Sequence, residues 1–337
     1  MGRPMYGMDI HNRSEYISYQ FDWSLFSFPN ITVFLGPFYL LPTFWIVGKT
    51  AKIFYETSRK TTAVSIQRHL FLSFLLMQIG NFSYILTDFL VVRIPATGVF
   101  TSTCAQTEPN QLLKMPYLVA FISSYLSMLF PVIFCTNRAI IVFFPKNHNE
   151  VCSRFMKLSL PFTVILPCCF TFFMVPAVGH CTQLTAPYPM GAVMFTLDLK
   201  VPINEYTHLL TSFFCTLFTL TINITMLIKV RHIFFYKKSL NRNANKNYKA
   251  ELSLTITMIS LFVPFLINGM IVLFSLRNPS LIGYILSIRP IFIDTATVFE
   301  PWAFYYTHPM FVRYKRKTTV SSSPFAMVVS SSGAEKY

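Results

Sequence analysis

The residues that could carry chemistry in this 337-residue chain are its seven histidines, its seven cysteines and a few charges set inside long apolar stretches. The histidines stand at 11, 69, 148, 180, 208, 232 and 308. None forms an HExxH pair, which would put two imidazoles on one helical face, and no Cys/His run has zinc-site spacing. There is no GxxxxGK[ST] loop to cradle a phosphate and no GxSxG elbow to present a serine nucleophile. No catalytic group, metal or cofactor is therefore expected, and the chain reads as a non-enzyme.

The embedded charges are more informative, because an ion in hydrocarbon is costly and tends to be kept for a function. They are Asp88, Arg138, Arg289, Asp294 and Glu300. Asp294 follows Arg289 by five residues, about 140° around an α-helix, so the two are poor partners for each other. A second pattern lies at 117–128, where Tyr117, Phe121, Ser124, Tyr125 and Met128 recur on one helical face. In other apolar segments His208 and Tyr284 fall near the mouths, and Asn268 and Arg289 deeper in the same half. Aromatic rings with a few polar groups suit a small, mostly apolar ligand. Ordinary interhelical packing with an interfacial aromatic belt would give the same pattern.

The elements that must hold these residues follow from composition. Hydrophobic residues make up 53% of the chain and charged residues only 12%, with 36 Phe and 17 Tyr. An average soluble domain carries about 25% charged residues, so a water-facing exterior cannot be built and the chain must be a membrane protein. A spanning helix needs about 20 apolar residues. Seven stretches qualify, at 26–48, 69–92, 116–144, 157–178, 207–228, 252–276 and 281–306. Alternating ten-residue strands are absent, which argues against a β-barrel. The expected fold is an all-α seven-transmembrane helix bundle, residues 26–306, between an outer segment 1–25 and a tail 307–337.

Charge then orients the bundle. The connections 49–68, 145–156 and 229–251, together with the tail, hold far more Lys and Arg than the amino-terminal segment and the connections 93–115, 179–206 and 277–280. Cytoplasmic loops collect basic residues, so the amino terminus is expected outside and the carboxyl terminus in the cytoplasm. The net charge of +15 is on this reading a topology signal and no sign of nucleic-acid binding. The first 25 residues lack the pattern of a cleavable signal peptide, and the first span is expected to serve as an uncleaved anchor. Asn12-Arg13-Ser14 is a glycosylation sequon in the outer segment. Cys104 and Cys181 are the two cysteines in outer connections, an oxidising location, and are expected to pair; two free loop thiols are the alternative. In the tail, 309–317 mixes apolar and basic residues as a surface helix does, followed by a Ser-rich end expected to be disordered.

Motifs at the inner ends of two spans carry a resemblance. Asn137-Arg138-Ala139 followed by Pro145 resembles the acid-Arg-Tyr signature of rhodopsin-type receptors, with Arg138 and Pro145 matching and Asn and Ala replacing the acid and the Tyr. Glu300-Pro301-Trp302-Ala303-Phe304-Tyr305 resembles Asn-Pro-x-x-Tyr, with Glu for Asn and the Tyr displaced by one. Pro264 is similar to the kinking proline of the sixth span. The opening 11–21, the proline-rich first span and the Asn-Arg-Ala…Phe-Phe-Pro segment together resemble nematode serpentine chemoreceptors, closest to class U. No Lys stands in the seventh span for a retinal Schiff base, so an opsin is not expected.

The resemblance implies a G-protein-coupled chemosensory receptor in the plasma membrane of a sensory neuron, with a small-molecule or peptide ligand outside and a heterotrimeric G protein inside. The inner end of the third span, with Arg138 and Pro145, and the acid-free basic run 229–249, with Arg231, Lys237, Lys238 and Arg242, are expected to form the G-protein face, the alternative being that the run only sets topology and touches anionic lipid. The motifs imply a switch containing Pro264, Glu300, Pro301 and Tyr305. The resemblance also makes the second and seventh helices neighbours, so that Arg289 could reach up to Asp88. A seven-span transporter or a ligand-gated odorant channel is the competing class.

Overall fold

The computed structural model describes residues 7–21, 27–60, 68–198, 203–237 and 281–307, with a few isolated positions between 266 and 277. Six long helices lie among the described residues: α2 (Phe28–Lys60), α3 (Arg68–Asp88), α6 (Gln111–Phe143), α7 (His148–Thr171), α8 (Ile203–Lys237) and α9 (Ile282–Thr307). The first five are long and apolar enough to cross a bilayer. The helix α9 carries Arg289, Asp294 and Glu300, which lower its apolar content without shortening it. The sixth apolar stretch, 252–276, falls almost wholly outside the described residues, and with it Pro264 and Asn268. Lys238, Arg242 and the tail after 307 lie outside them too.

The helices outrun the apolar stretches that mark them. The helix α2 continues to Lys60 and α7 begins at His148, well before the apolar run at 157. Apolar length is set by the hydrocarbon layer, whereas backbone hydrogen bonds can continue into the headgroups and water. Outward faces present Phe38, Leu41, Phe44, Trp45, Leu158, Phe162 and Ile165, a surface that lipid tolerates and water does not. The centre is packed by Phe74, Met77, Met128, Phe134, Cys135, Phe304 and Tyr305, with Phe74 stacked on Phe304 at 4.2 Å between ring centroids. Gly80 permits the close approach of α3 and α6, since a Cβ there would stand 2.8 Å from the Phe130 ring.

The helix α3 does not end at Asp88 in the ordinary way. It runs through a π turn, Phe89–Arg93, into the short helix α4, Ile94–Ala96. Beyond it lie α5 (Thr101–Gln106) and the start of α6, which is capped by Asn110: its Oδ1 accepts from the amides of Leu112 and Leu113 at 2.8 and 2.9 Å.

A small sheet is added outside the helices. Strands β1 (Gly7–Asp9), β2 (Gly179–Leu184) and β3 (Val193–Leu197) pair antiparallel in that order, with Met8 opposite Gln183 and Cys181 opposite Phe195. A short helix α1, Ser14–Ile17, follows β1. Ile10 and Tyr16 pack with Cys104, Ala105, Cys181 and Val193 into an apolar cluster of their own. The segment before the first span is thus folded onto the connection between α7 and α8. A disulfide joins Cys104 to Cys181, with the Cα atoms 5.9 Å apart, and ties α5 to β2.

Candidate ligand site and buried charge network

Ser124 and His208 meet where α6 and α8 face each other. Ser124 Oγ lies 2.9 Å from His208 Nε2, and both residues are buried. The imidazole sits edge-on to Phe121, with centroids 5.9 Å apart, and 5.5 Å from Tyr125. Tyr117 adds its ring 4.8 Å from Phe121, one turn nearer the sheet. Of the residues at i, i+4, i+7 and i+8 on α6, Phe121, Ser124 and Tyr125 face His208 of α8, and Tyr117 joins the apolar cluster of Val91, Met194 and Leu286. Met128 belongs elsewhere: it is enclosed in the central core beside Phe74 and Phe134. Tyr284 also departs from the expected site, since it is 50% exposed at the start of α9; there the helical phase turns it outward.

The most extensive polar structure is a network of four charges beside these rings. Arg289 Nη1 stands 2.7 Å from Asp88 Oδ1, so the α3–α9 pair is formed. Arg289 also donates to the Tyr84 hydroxyl. The other side of Asp88 is taken by a residue that the sequence pattern places in an outer connection. Arg93 donates from Nε to Asp88 Oδ2 at 2.7 Å, and from Nη1 and Nη2 to the two oxygens of Asp294 at 2.6 and 2.8 Å. Tyr39 of α2 donates to Asp294 as well. Two carboxylates and two guanidiniums thus bind α2, α3, the π turn and α9 together, with Arg93 only 3% exposed.

The π turn is what makes this possible. Residues five apart on an α-helix point about 140° from each other, whereas a π turn bonds i to i+5 and stacks them. Asp88 and Arg93 are five apart, and the turn between them brings their side chains into contact. Arg93, the first residue of the expected connection 93–115, thus lies inside the bundle.

The connection between β2 and β3 closes over the network. A Cβ on Gly283 would overlap the carbonyl oxygens of Ala186 and Thr185, so only glycine lets this loop rest on the start of α9. Tyr188 hangs from the same loop. Burial first, and the Asp88 carboxylate second, push its phenol above the usual range.

At the opposite end of the bundle, Arg138 is 2% exposed and Asn137 fully buried. The Asn137 amide reaches Met156 Sδ at 3.1 Å, which anchors α6 to α7 where the acid of the wider signature would stand. The Arg138 side chain is enclosed within the bundle in this arrangement. Pro145 is exposed in the turn after α6, where its carbonyl lies 3.0 Å from His148 Nδ1. Arg231 is exposed on α8, and Lys229 lies 4.0 Å from the Phe143 ring centroid. Lys237 ends α8.

Glu300 is fully buried and receives the amides of Gln78 and Asn81 on one oxygen, at 3.3 and 3.2 Å. Pro301 follows it inside α9, and Tyr305 is buried one turn on. Gln78 and Asn81 are legible in the sequence as polar residues three apart in an apolar stretch, a spacing that puts both on one face. Arg93, Tyr39 and Tyr84 carry no such signal. At the sheet end Asn12 is exposed with φ 57°, its amide bonded to the Ala105 carbonyl.

The sequence pattern of the serpentine type 7TM GPCR chemoreceptor Sru family matches residues 10–314. The chain belongs to this family. Serpentine receptor class U-26 of Caenorhabditis elegans is 29% identical over 281 residues, covering 82% of this chain and 93% of that protein. The crystal structure of squid rhodopsin matches with a TM-score of 0.58 at 13% identity, over 96% of this chain and 88% of the other. That likeness shows the seven-transmembrane fold. Membership establishes a serpentine chemoreceptor embedded in a membrane, as the motifs at Arg138 and Glu300 implied.

Proposed function

We propose that the receptor sits in the plasma membrane with its amino terminus outside, binds a small molecule among Tyr117, Phe121, Tyr125 and His208, and signals through a heterotrimeric G protein. The observation that carries this reading is the pairing of a buried polar contact, Ser124–His208, with an aromatic wall at one end of a bundle of this family. Basic residues gather at the other end. Arg138, Pro145, Arg231, Lys237, Lys238 and Arg242 are proposed to form the face for the G protein, with Glu300, Pro301, Tyr305 and Pro264 as the switch between the ends. Asn12, exposed before α1, is proposed to carry a glycan, which also reports the orientation.

The test is a panel of odorant-sized compounds applied to cells expressing the receptor with and without a G-protein α subunit, read by calcium or cyclic nucleotide. Dose-dependent signals that require the α subunit are expected. Signals independent of any α subunit would favour the channel class. A glycosidase-sensitive mobility shift lost in Asn12→Gln places the amino terminus outside.

A further inference from the structure

The charges near the candidate ligand site are already spent on each other. Arg93 uses Nε, Nη1 and Nη2 on Asp88 and Asp294, and Arg289 uses its two terminal nitrogens on Asp88 and Tyr84. An ionic ligand entering between α6 and α8 would therefore find no free counter-ion in this network, and burying an unpaired ion is prohibitive. The remaining buried cation at this end among the described residues is Lys114 at the top of α6. It is buried and donates to Gln111 and to the Val175 carbonyl. Ten residues separate it from Ser124, a rise of roughly 15 Å.

Beside the aromatic wall stands a polar atom with no partner among the described residues. His208 Nδ1 is buried and unbonded, on a residue only 7% exposed whose ring lies between Phe121 and Tyr125. Buried imidazole nitrogens are ordinarily hydrogen-bonded. Ser124 accounts for Nε2 and leaves Nδ1 for something the described chain does not supply. If the serine hydroxyl donates to Nε2, Nδ1 carries the proton and donates; if Nε2 donates to Ser124, Nδ1 accepts. A hydroxyl group satisfies either tautomer.

We infer that the ligand is an uncharged, predominantly apolar molecule with one neutral oxygen function, a hydroxyl or a carbonyl, that hydrogen-bonds to His208 Nδ1 against Phe121 and Tyr125. This rests on the receptor reading for its location and adds the chemical class.

The test uses the purified full-length receptor and matched probe sets: aromatic and cyclic alkyl skeletons, each supplied as alcohol, aldehyde, carboxylate and amine. Binding is read as a rise in thermal midpoint with probe concentration, with no G protein present. Saturable stabilisation by alcohols or aldehydes, absent for the carboxylate and amine of the same skeleton, is expected. In His208→Phe the affinity of the best alcohol should fall about tenfold, the weight of one buried hydrogen bond. In His208→Asn, whose amide can occupy the Nδ1 position, much of that loss should be recovered. The asparagine variant also serves as the probe if the phenylalanine variant does not fold.

Selective stabilisation by carboxylates would move the anchor to Lys114 and overturn the inference, as would equal binding to His208→Phe. No stabilisation by any neutral member would leave water as the partner of Nδ1 and overturn it too. Stabilisation by alcohols without any α-subunit-dependent signal in cells would keep the site and remove the signalling reading, so the two failures are separable.

Discussion

The half of the bundle beside the sheet, proposed to face outward, and the half beside Arg138, proposed to face inward, bury charge by opposite means. In the outer half, Asp88, Arg93, Arg289 and Asp294 neutralise one another through ion pairs of 2.6 and 2.7 Å. In the inner half, the Glu300 carboxyl meets only the neutral amides of Gln78 and Asn81, and its second oxygen has no hydrogen-bond partner among the described residues. A closed ionic network holds one arrangement, because removing any member strands a charge. A carboxyl held by two neutral amides has no ion pair to break when it changes partners. The outer network is therefore suited to fixing the frame around a ligand, and the inner cluster to changing with state.

The largest loss is expected at the member that touches both carboxylates. Arg93→Met keeps the length of the side chain and strands Asp88 and Asp294, which should cost about 3–5 kcal/mol. Surface labelling of intact cells should show most of the protein retained inside. Normal delivery would show that the network is not a structural tie. Next in size, Asp88→Arg and Arg289→Asp should each impair delivery, and the double exchange should recover part of it. The recovery is expected to be incomplete because Arg93 then faces an arginine at 88. A double exchange no better than either single change would dissolve the pair.

Smaller effects are expected in the inner half. Glu300→Leu removes the acceptor of two amides and should cost about 1–3 kcal/mol, read as a lower thermal midpoint in detergent. Glu300→Gln retains a carbonyl acceptor and should stay within about 1 kcal/mol of the wild type, with basal signalling shifted instead. A larger loss for Gln than for Leu would mean that the carboxylate is held as tightly as those of the outer network. The smallest effect on delivery is expected for Arg138→Ala, which should nonetheless abolish the response; an undiminished response would take Arg138 out of the G-protein face.

Much of the site is legible in the sequence, because helical periodicity is local. The face carrying Tyr117, Phe121, Ser124 and Tyr125 follows from spacing alone, and His208 from its place at the mouth of the fifth apolar stretch. Met128 shares the spacing but packs in the core with Phe74 and Phe134, since periodicity gives a face and not what covers it. Tyr284 departs for a related reason: its depth is right and its phase is outward. The sheet formed by β1, β2 and β3 leaves no comparable trace, because its first pairing joins residues more than 170 positions apart.

The sequence by itself determined the membrane environment, the apolar segments, the family motifs at Arg138 and Glu300, and the need of Arg289 for a partner. Each of these depends on composition or on residues within a few turns of one another. Only the tertiary structure decided how the charges are shared. The π turn after Asp88 rotates Arg93 inward, where it joins two carboxylates from helices far apart in the chain. A one-residue change in helical register moves a side chain by about 100°, and nothing in the local sequence fixes that register. Packing against α2 and α9 fixes it, through the ion pairs that the rotated arginine makes.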